Sequence, residues 1–216
     1  KQTGTNATDY YYYIEGIVCK IDTSSNGDNK NFNTYKNLTF KISDDGKNSN
    51  VFTAYQVNYL EKQQFESMDQ IALGDIVVIF GKIVNYNNST PETTGSGAAY
   101  VYSHISVSAF VSKVNAFNFC KASAEEIKAM LDEYKALVAK NADVANKEVD
   151  ETTTLGERMA YMQLIYNKKA NTTGDSTSGV VITSNNSFDK TSLIALFAIL
   201  GIVTISGYYI IEKKKF

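Results

Sequence analysis

The sequence predicts a mainly β protein, in which a small barrel precedes a pair of helices and a C-terminal transmembrane helix. Three observations predict it. Between about residues 10 and 110, short β-rich runs alternate with polar loops. From residue 122 to 169 the apolar residues change to helical spacing. From Ser192 to Ile211 the chain is apolar, with no charge between Lys190 and Glu212. The 216 residues are 44% hydrophobic, enough to bury a core, and the net charge of -2 gives no general attraction to phosphate or anionic lipid. Two cysteines and one histidine cannot supply a disulfide framework or a zinc site of the usual four ligands. Arg158 is the single arginine, and Asn, Lys, Ile and Tyr are abundant throughout. That bias reads as base composition, so the number of tyrosines is not by itself a functional signal.

Five runs read as strands: YYYYIEGIVCKID, YKNLTFKISDDG, NVFTAYQVNYL, GDIVVIFGKIVNY and AAYVYSHISVSAF. QFESMDQIAL, between the third and fourth, has the length of one short helix. Gly16 interrupts the first strand, where a glycine marks a bulge or sharp coil. Five strands, a helix after the third and a kinked first strand describe a five-stranded Greek-key barrel of the OB type over residues 10–110.

The phrases YIEGIVCKI, LTFKISDDG, FESMDQIALGDIVVIFGKIVNY and TPET carry a resemblance. They are similar to OB-fold domains of secreted and surface proteins of gut bacteria (Firmicutes and Bacteroidetes), which show a like progression of "GIV-x-KI", "ISDDG" and "DQI-x-x-GD-x-V-V-x-GK". The resemblance spans nearly all of residues 10–110. It implies the OB fold and a ligand drawn from oligonucleotides, oligosaccharides or proteins. The arrangement that follows resembles the C-terminal part of multidomain Firmicutes surface proteins, some with nuclease-like modules upstream.

The first helix opens with a capping box, Ser123 and Glu126, and repeats Ile127, Met130, Leu131, Tyr134, Leu137 and Val138 on one face. The second opens with Thr154 and Glu157 and carries Leu155, Met159, Met162, Ile165 and Tyr166. The polar stretch NADVANKEVDETT between them implies an antiparallel helical hairpin over 122–169. Residues 170–190, rich in Ser, Thr, Asn and Gly, read as a flexible stalk. The transmembrane helix, 192–211, buries Leu193, Phe197, Leu200 and Ile205, and its length at ~1.5 Å per residue matches a hydrocarbon layer of roughly 30 Å. Tyr208 and Tyr209 suit the interface, and Lys213, Lys214 and Lys215 place the tail, 212–216, in the cytosol. The expected location is a bacterial cell membrane, single-pass, with the N-terminal domain outside. Pro91 is the sole proline, so the Leu-Pro-x-Thr-Gly signal of wall attachment is missing. KQTGTNATDY is no export signal, and Lys1 reads as a mature end or the start of a fragment.

An OB barrel binds on the face of strands 2 and 3, framed here by TSSNGDNKNFNT and NYNNSTPETTGSG. Alternation turns Leu38, Phe40, Ile42, Phe52 and Ala54 inward, and Asn37, Thr39, Lys41, Thr53 and Tyr55 outward. The ligand candidates are Tyr35, Thr39, Lys41, Tyr55, Lys82 and Tyr86, for stacking, hydrogen bonding and charge. Residues 10–110 hold seven lysines against ten acids, which disfavours phosphate backbones and leaves single-stranded nucleic acid and glycan both open. His104 reads as a surface residue at a strand end, and Asp44, Asp45 and Gly46 as a tight turn. Cys19 faces inward, either as a free thiol or as the partner of Cys120. No catalytic constellation, cofactor or metal site is expected. The functional expectation is a membrane-anchored extracellular binding module, or else an accessory spacer in a larger surface protein such as a secreted nuclease or adhesin.

With this topology, protease applied to intact cells removes everything before the apolar segment and leaves a short membrane-bound stub. Protection of the whole chain, or its recovery in the soluble fraction, excludes the topology.

Overall fold

The structure, a computed structural model, describes residues 5–23 and 30–171. The transmembrane helix, its six expected anchor residues Leu193, Phe197, Leu200, Ile205, Tyr208 and Tyr209, the lysines of the tail and nearly all of the stalk lie outside the described residues. Among those described, no helix is long and apolar enough to cross a membrane. The described chain divides into two compact units, one running to Lys113 and including Lys135–Val144, the other made of Val114–Tyr134 and the chain from Ala145 onward.

The first unit is built on a mixed sheet of seven strands: β1 (Tyr12–Ile21), β2 (Leu38–Ser43), β3 (Phe52–Val57), β4 (Ile76–Gly81), β5 (Ile83–Tyr86), β6 (Thr90–Thr93) and β7 (Tyr100–Ile105). Their order is β5-β6-β3-β2-β1-β4-β7, and every pairing is antiparallel except β3 with β6. The inward residues of the strands, Val18, Leu38, Phe40, Ile42, Ala54, Val77, Ile79 and Val101, pack with Phe65 and Ile71 into one core. Burying each large side chain there contributes about 1.5–3 kcal/mol.

The mainly β class is seen, but the sheet does not close into a five-stranded barrel. The run GDIVVIFGKIVNY breaks at Lys82 into β4 and β5, and NYNNSTPETTGSG, expected as a loop, supplies the hairpin β5–β6. β6 then takes the edge of β3 through Thr53 and Glu92. What remains for β7 is a single parallel bridge between Asn58, just past β3, and Tyr100. Two hydrogen bonds make it, Asn58 N to Ala99 O at 3.0 Å and Val101 N to Asn58 O at 2.9 Å. In place of the helix expected after β3 stand two 3-10 turns, Leu60–Lys62 and Met68–Gln70, the second closed by a Ser67–Gln70 capping box. The first loop likewise holds a short helix, α1 (Lys30–Tyr35). The fifth run ends early, because Ser106 caps α2 (Val107–Ala116) by accepting from Ala109 N at 3.3 Å.

Gly16 is not the site of the bulge in β1. The register slips at Cys19, between Val18 and Lys20. Gly16 is required by close approach instead, since a Cβ there would lie 2.9 Å from Ile42 Cβ. Cys19 is half-buried, its thiol directed at Lys41 O at 3.4 Å, and both cysteines are free.

Both expected helices form, α3 (Ala124–Lys140) and α4 (Leu155–Asn171). Their first turns are closed reciprocally: Ser123 N donates to Glu126 Oε2 at 2.7 Å while Glu126 N donates to Ser123 Oγ at 3.2 Å, and Thr154 and Glu157 repeat the exchange at 2.9 and 3.3 Å. The connection between them is more than a turn, holding a 3-10 segment (Ala142–Asn146) and a two-stranded ribbon of β8 (Glu148–Asp150) and β9 (Thr153–Thr154). In the second unit Arg158 of α4 clamps that ribbon through Asp150 at 2.9 Å. Burial raises the Asp150 carboxyl, but hydrogen bonds from Thr152, Thr153 and Arg158 outweigh it and hold the group below its usual range.

Gly16→Ala forces Ile42 out of its position, so stability falls by about 1–3 kcal/mol. Urea unfolding of the two proteins measures it; an unchanged midpoint would show that the strand can yield there.

Candidate functional site: an aromatic platform on β1, β4 and β7

Of the six ligand candidates, the structure brings few together. Thr39 is buried and structural: β3 carries an extra residue opposite it, and Gln56, held at φ 49°, donates its N–H to Thr39 Oγ1 at 3.0 Å. Tyr55 belongs to the same repair. Its N–H donates to Thr93 Oγ1 at 2.8 Å, that hydroxyl donates back to Tyr55 O at 3.0 Å, and its ring covers Gly95, where a Cβ would lie only 2.6 Å from Cε1. Asn37 and Thr53, also expected outward, are buried. Lys41 is half-buried in mid-strand, while Tyr35 and Tyr86 are exposed at the end of α1 and of β5. Glu92, register partner of Thr53, is partly buried, which pushes its carboxyl up.

Lys82 lies elsewhere, and it marks a surface that the sequence reading passed over. On the outer side of β1, β4 and β7, Tyr13, Phe80 and Tyr100 are register neighbours across three strands. Their rings touch in series: Tyr13 to Phe80 at 4.8 Å and Phe80 to Tyr100 at 5.5 Å between centroids. Tyr11 lies parallel to Phe80 at 5.2 Å, and Tyr102 meets Tyr13 edge-on at 4.8 Å. The half-buried Phe80 and Tyr100 form the floor, while Tyr11, Tyr13 and Tyr102 stand 54, 61 and 53% exposed. Two ammonium groups border the patch, Lys82 Nζ 5.4 Å from the Tyr11 ring centre and Lys62 Nζ 5.5 Å from that of Tyr100.

Strand alternation creates this platform and a bulge completes it. Val77 and Ile79 fill the core, so Phe80 faces out. On β7 the register passes from Val78–Ser103 to Ile79–Val101, leaving Tyr102 as the extra residue. Tyr102 therefore joins Tyr100 outside, and His104, paired with the core residue Val77, turns inward. In the sequence the platform is marked by the tyrosines that open the first run, by Phe80 in the fourth and by Tyr100 and Tyr102, two apart, in the fifth, and no local pattern links the three.

His104 is accordingly no surface residue. Its side chain is 7% exposed and its Nε2 lies 2.8 Å from Oδ2 of Asp75, itself 2% exposed. Because the carboxylate only accepts, Nε2 carries a proton, and Nδ1 lies 3.0 Å from the Tyr59 hydroxyl. Burial first, and the Asp75 charge second, hold the Tyr59 phenol above its ordinary value. The remaining lone pairs of Asp75 accept from Ala72 N and Val107 N, both at 2.9 Å. This Tyr–His–Asp chain, buried at Asp75 and His104 and half-buried at Tyr59, joins main-chain elements and has the character of a fastening.

No family model, curated protein or solved structure matches the chain. The site therefore has to be read from its own chemistry. Among the described residues no group of three or more His, Cys, Asp or Glu side chains is placed to hold a metal ion. What the platform offers is five adjoining rings, four of them tyrosines with hydroxyls, parallel for Tyr11 and Phe80 and tilted or edge-on elsewhere.

Asp75→Ala strands three buried donors and lowers stability by about 3 kcal/mol or more. Tyr59→Phe removes only the outer hydrogen bond and costs about 1 kcal/mol. Denaturant titration ranks the two; equal effects would refute the view that Asp75 is the fastening point.

Proposed function

We propose that the chain is a non-catalytic binding module that holds an oligomeric ligand on the Tyr11–Tyr13–Phe80–Tyr100–Tyr102 platform. The observation that carries the reading is the platform's contiguity: four rings from three strands, with Tyr11 just before β1, meet in series and leave three tyrosines more than half exposed. Contiguous exposed apolar surface of this kind marks interaction sites. The unit is OB-like in this reading. Supporting it are β1 pairing with both β2 and β4, β2 with β3, β4 with β7, and the parallel bridge from Asn58 to Tyr100. The ligand surface then differs from the one usual for such folds, since Asn37, Thr39 and Thr53 of the β2–β3 side are buried and the segment around Gly95 lies against the Tyr55 ring. The apolar segment 192–211 would tether the module to a bacterial membrane with the platform outside.

Stacking on an aromatic platform is worth about 1–3 kcal/mol per unit. Tyr13→Ala and Tyr102→Ala thus weaken capture of ligand from a mixed oligonucleotide and glycan array by about fivefold to a hundredfold, whereas Tyr86→Ala leaves it unchanged. Sensitivity to Tyr86→Ala alone would return the site to the β2–β3 side.

A further inference from the structure

We infer that the platform takes a neutral oligosaccharide, a step that rests on the binding role proposed above. A single-stranded nucleic acid laid across five rings would bring one phosphate with nearly every base, and binding gains strength as those charges are neutralised. Among the described residues, the cations found against the rings are Lys62 and Lys82, and each lies over a tyrosine ring. Glu15 continues the outward alternation of Tyr11 and Tyr13, and its carboxylate is paired with Lys140. Over residues 10–110 acids outnumber lysines ten to seven, and the single arginine, Arg158, belongs to the second unit, where it holds Asp150. Little positive charge is thus available at the rings among the described residues.

The rings themselves suit a sugar. Their electron-rich faces attract the polarised C–H groups on the flat side of a pyranose. Tyr11, Tyr13, Tyr100 and Tyr102 add four hydroxyls, each able to donate and to accept, which matches a ligand covered in hydroxyls. Tyr13 and Tyr102, both more than half exposed and free of any ammonium over their faces among the described residues, are the rings assigned to the ligand, with Phe80 beside Tyr13 as their support.

The experiment titrates the full chain in detergent, by calorimetry at low and high salt, with cellohexaose, xylohexaose, mannohexaose, maltohexaose and a short oligothymidylate. One or more of the hexasaccharides is expected to bind with an affinity that does not change with salt. Tyr13→Ala and Tyr102→Ala should each weaken that binding about tenfold. Tyr102→Leu, which keeps apolar bulk at the bulge and loses the ring, should weaken it likewise and guards against a folding defect. Binding of oligothymidylate alone, falling steeply with salt and lost in the tyrosine variants, would overturn the sugar inference and leave the stacking platform intact. Sugar binding indifferent to all three variants, or no binding of any probe, would overturn both.

Discussion

The Asp75 carboxylate is where the elements of the first unit are tied together. Its side chain accepts from Ala72 N, Val107 N and His104 Nε2, and its main chain accepts from Val18 N at 2.8 Å. One residue thus fixes the turn before β4, the start of α2, the end of β7 and the middle of β1. The neighbouring Gly74 extends the tie, donating to Val18 O at 2.8 Å and accepting from Asn141 Nδ2 at 3.0 Å. A carboxylate with 2% of its side chain exposed is tolerable only because its oxygens are satisfied. The same requirement makes the arrangement specific, since moving any one of the partners leaves a buried charge short of a hydrogen bond.

Around that point the sheet keeps its inner face apolar by breaking register where alternation would fail. The slip at Cys19 resets β1 against β2, the extra residue in β3 opposite Thr39 turns Gln56 into the left-handed region, and Tyr102 resets β7 against β4. The second irregularity has a local compensation. Thr39 Oγ1 takes the N–H of Gln56, and Gln56 Oε1 in turn accepts from Ser96 N at 2.8 Å. The third has a further consequence, for it sends Tyr102 to the platform and His104 to Asp75. The exposed surface and the buried fastening are set by the same inserted residue.

The platform also explains why so many large rings remain at the surface of the β unit. Tyr11, Tyr13 and Tyr102 are not scattered: each touches another ring, and the half-buried Phe80 and Tyr100 anchor the group to the sheet. Ring–ring contacts of this geometry add about 0.5–1.5 kcal/mol apiece, and they hold the rings in place. A surface already ordered loses less entropy on binding than free side chains would.

The sequence alone determined what depends on near neighbours. Ser123 with Glu126 and Thr154 with Glu157 announced two helix starts because a capping box closes within one turn, and the helical repeat of Ile127, Met130, Leu131 and Leu137 named buried positions. Alternation within β2 and β3 likewise named Leu38, Phe40, Ile42 and Ala54 as core. Tertiary structure decided whatever depends on pairing between distant segments. That β6 would occupy the edge of β3, that Thr39 and Tyr55 would be consumed in repairing a bulge, and that His104 would turn inward all follow from register. A single inserted residue reverses which side a strand residue faces, and local sequence does not fix where the insertion falls. The five rings of the platform come from residues 11 to 102, and only the order β1-β4-β7 sets them side by side.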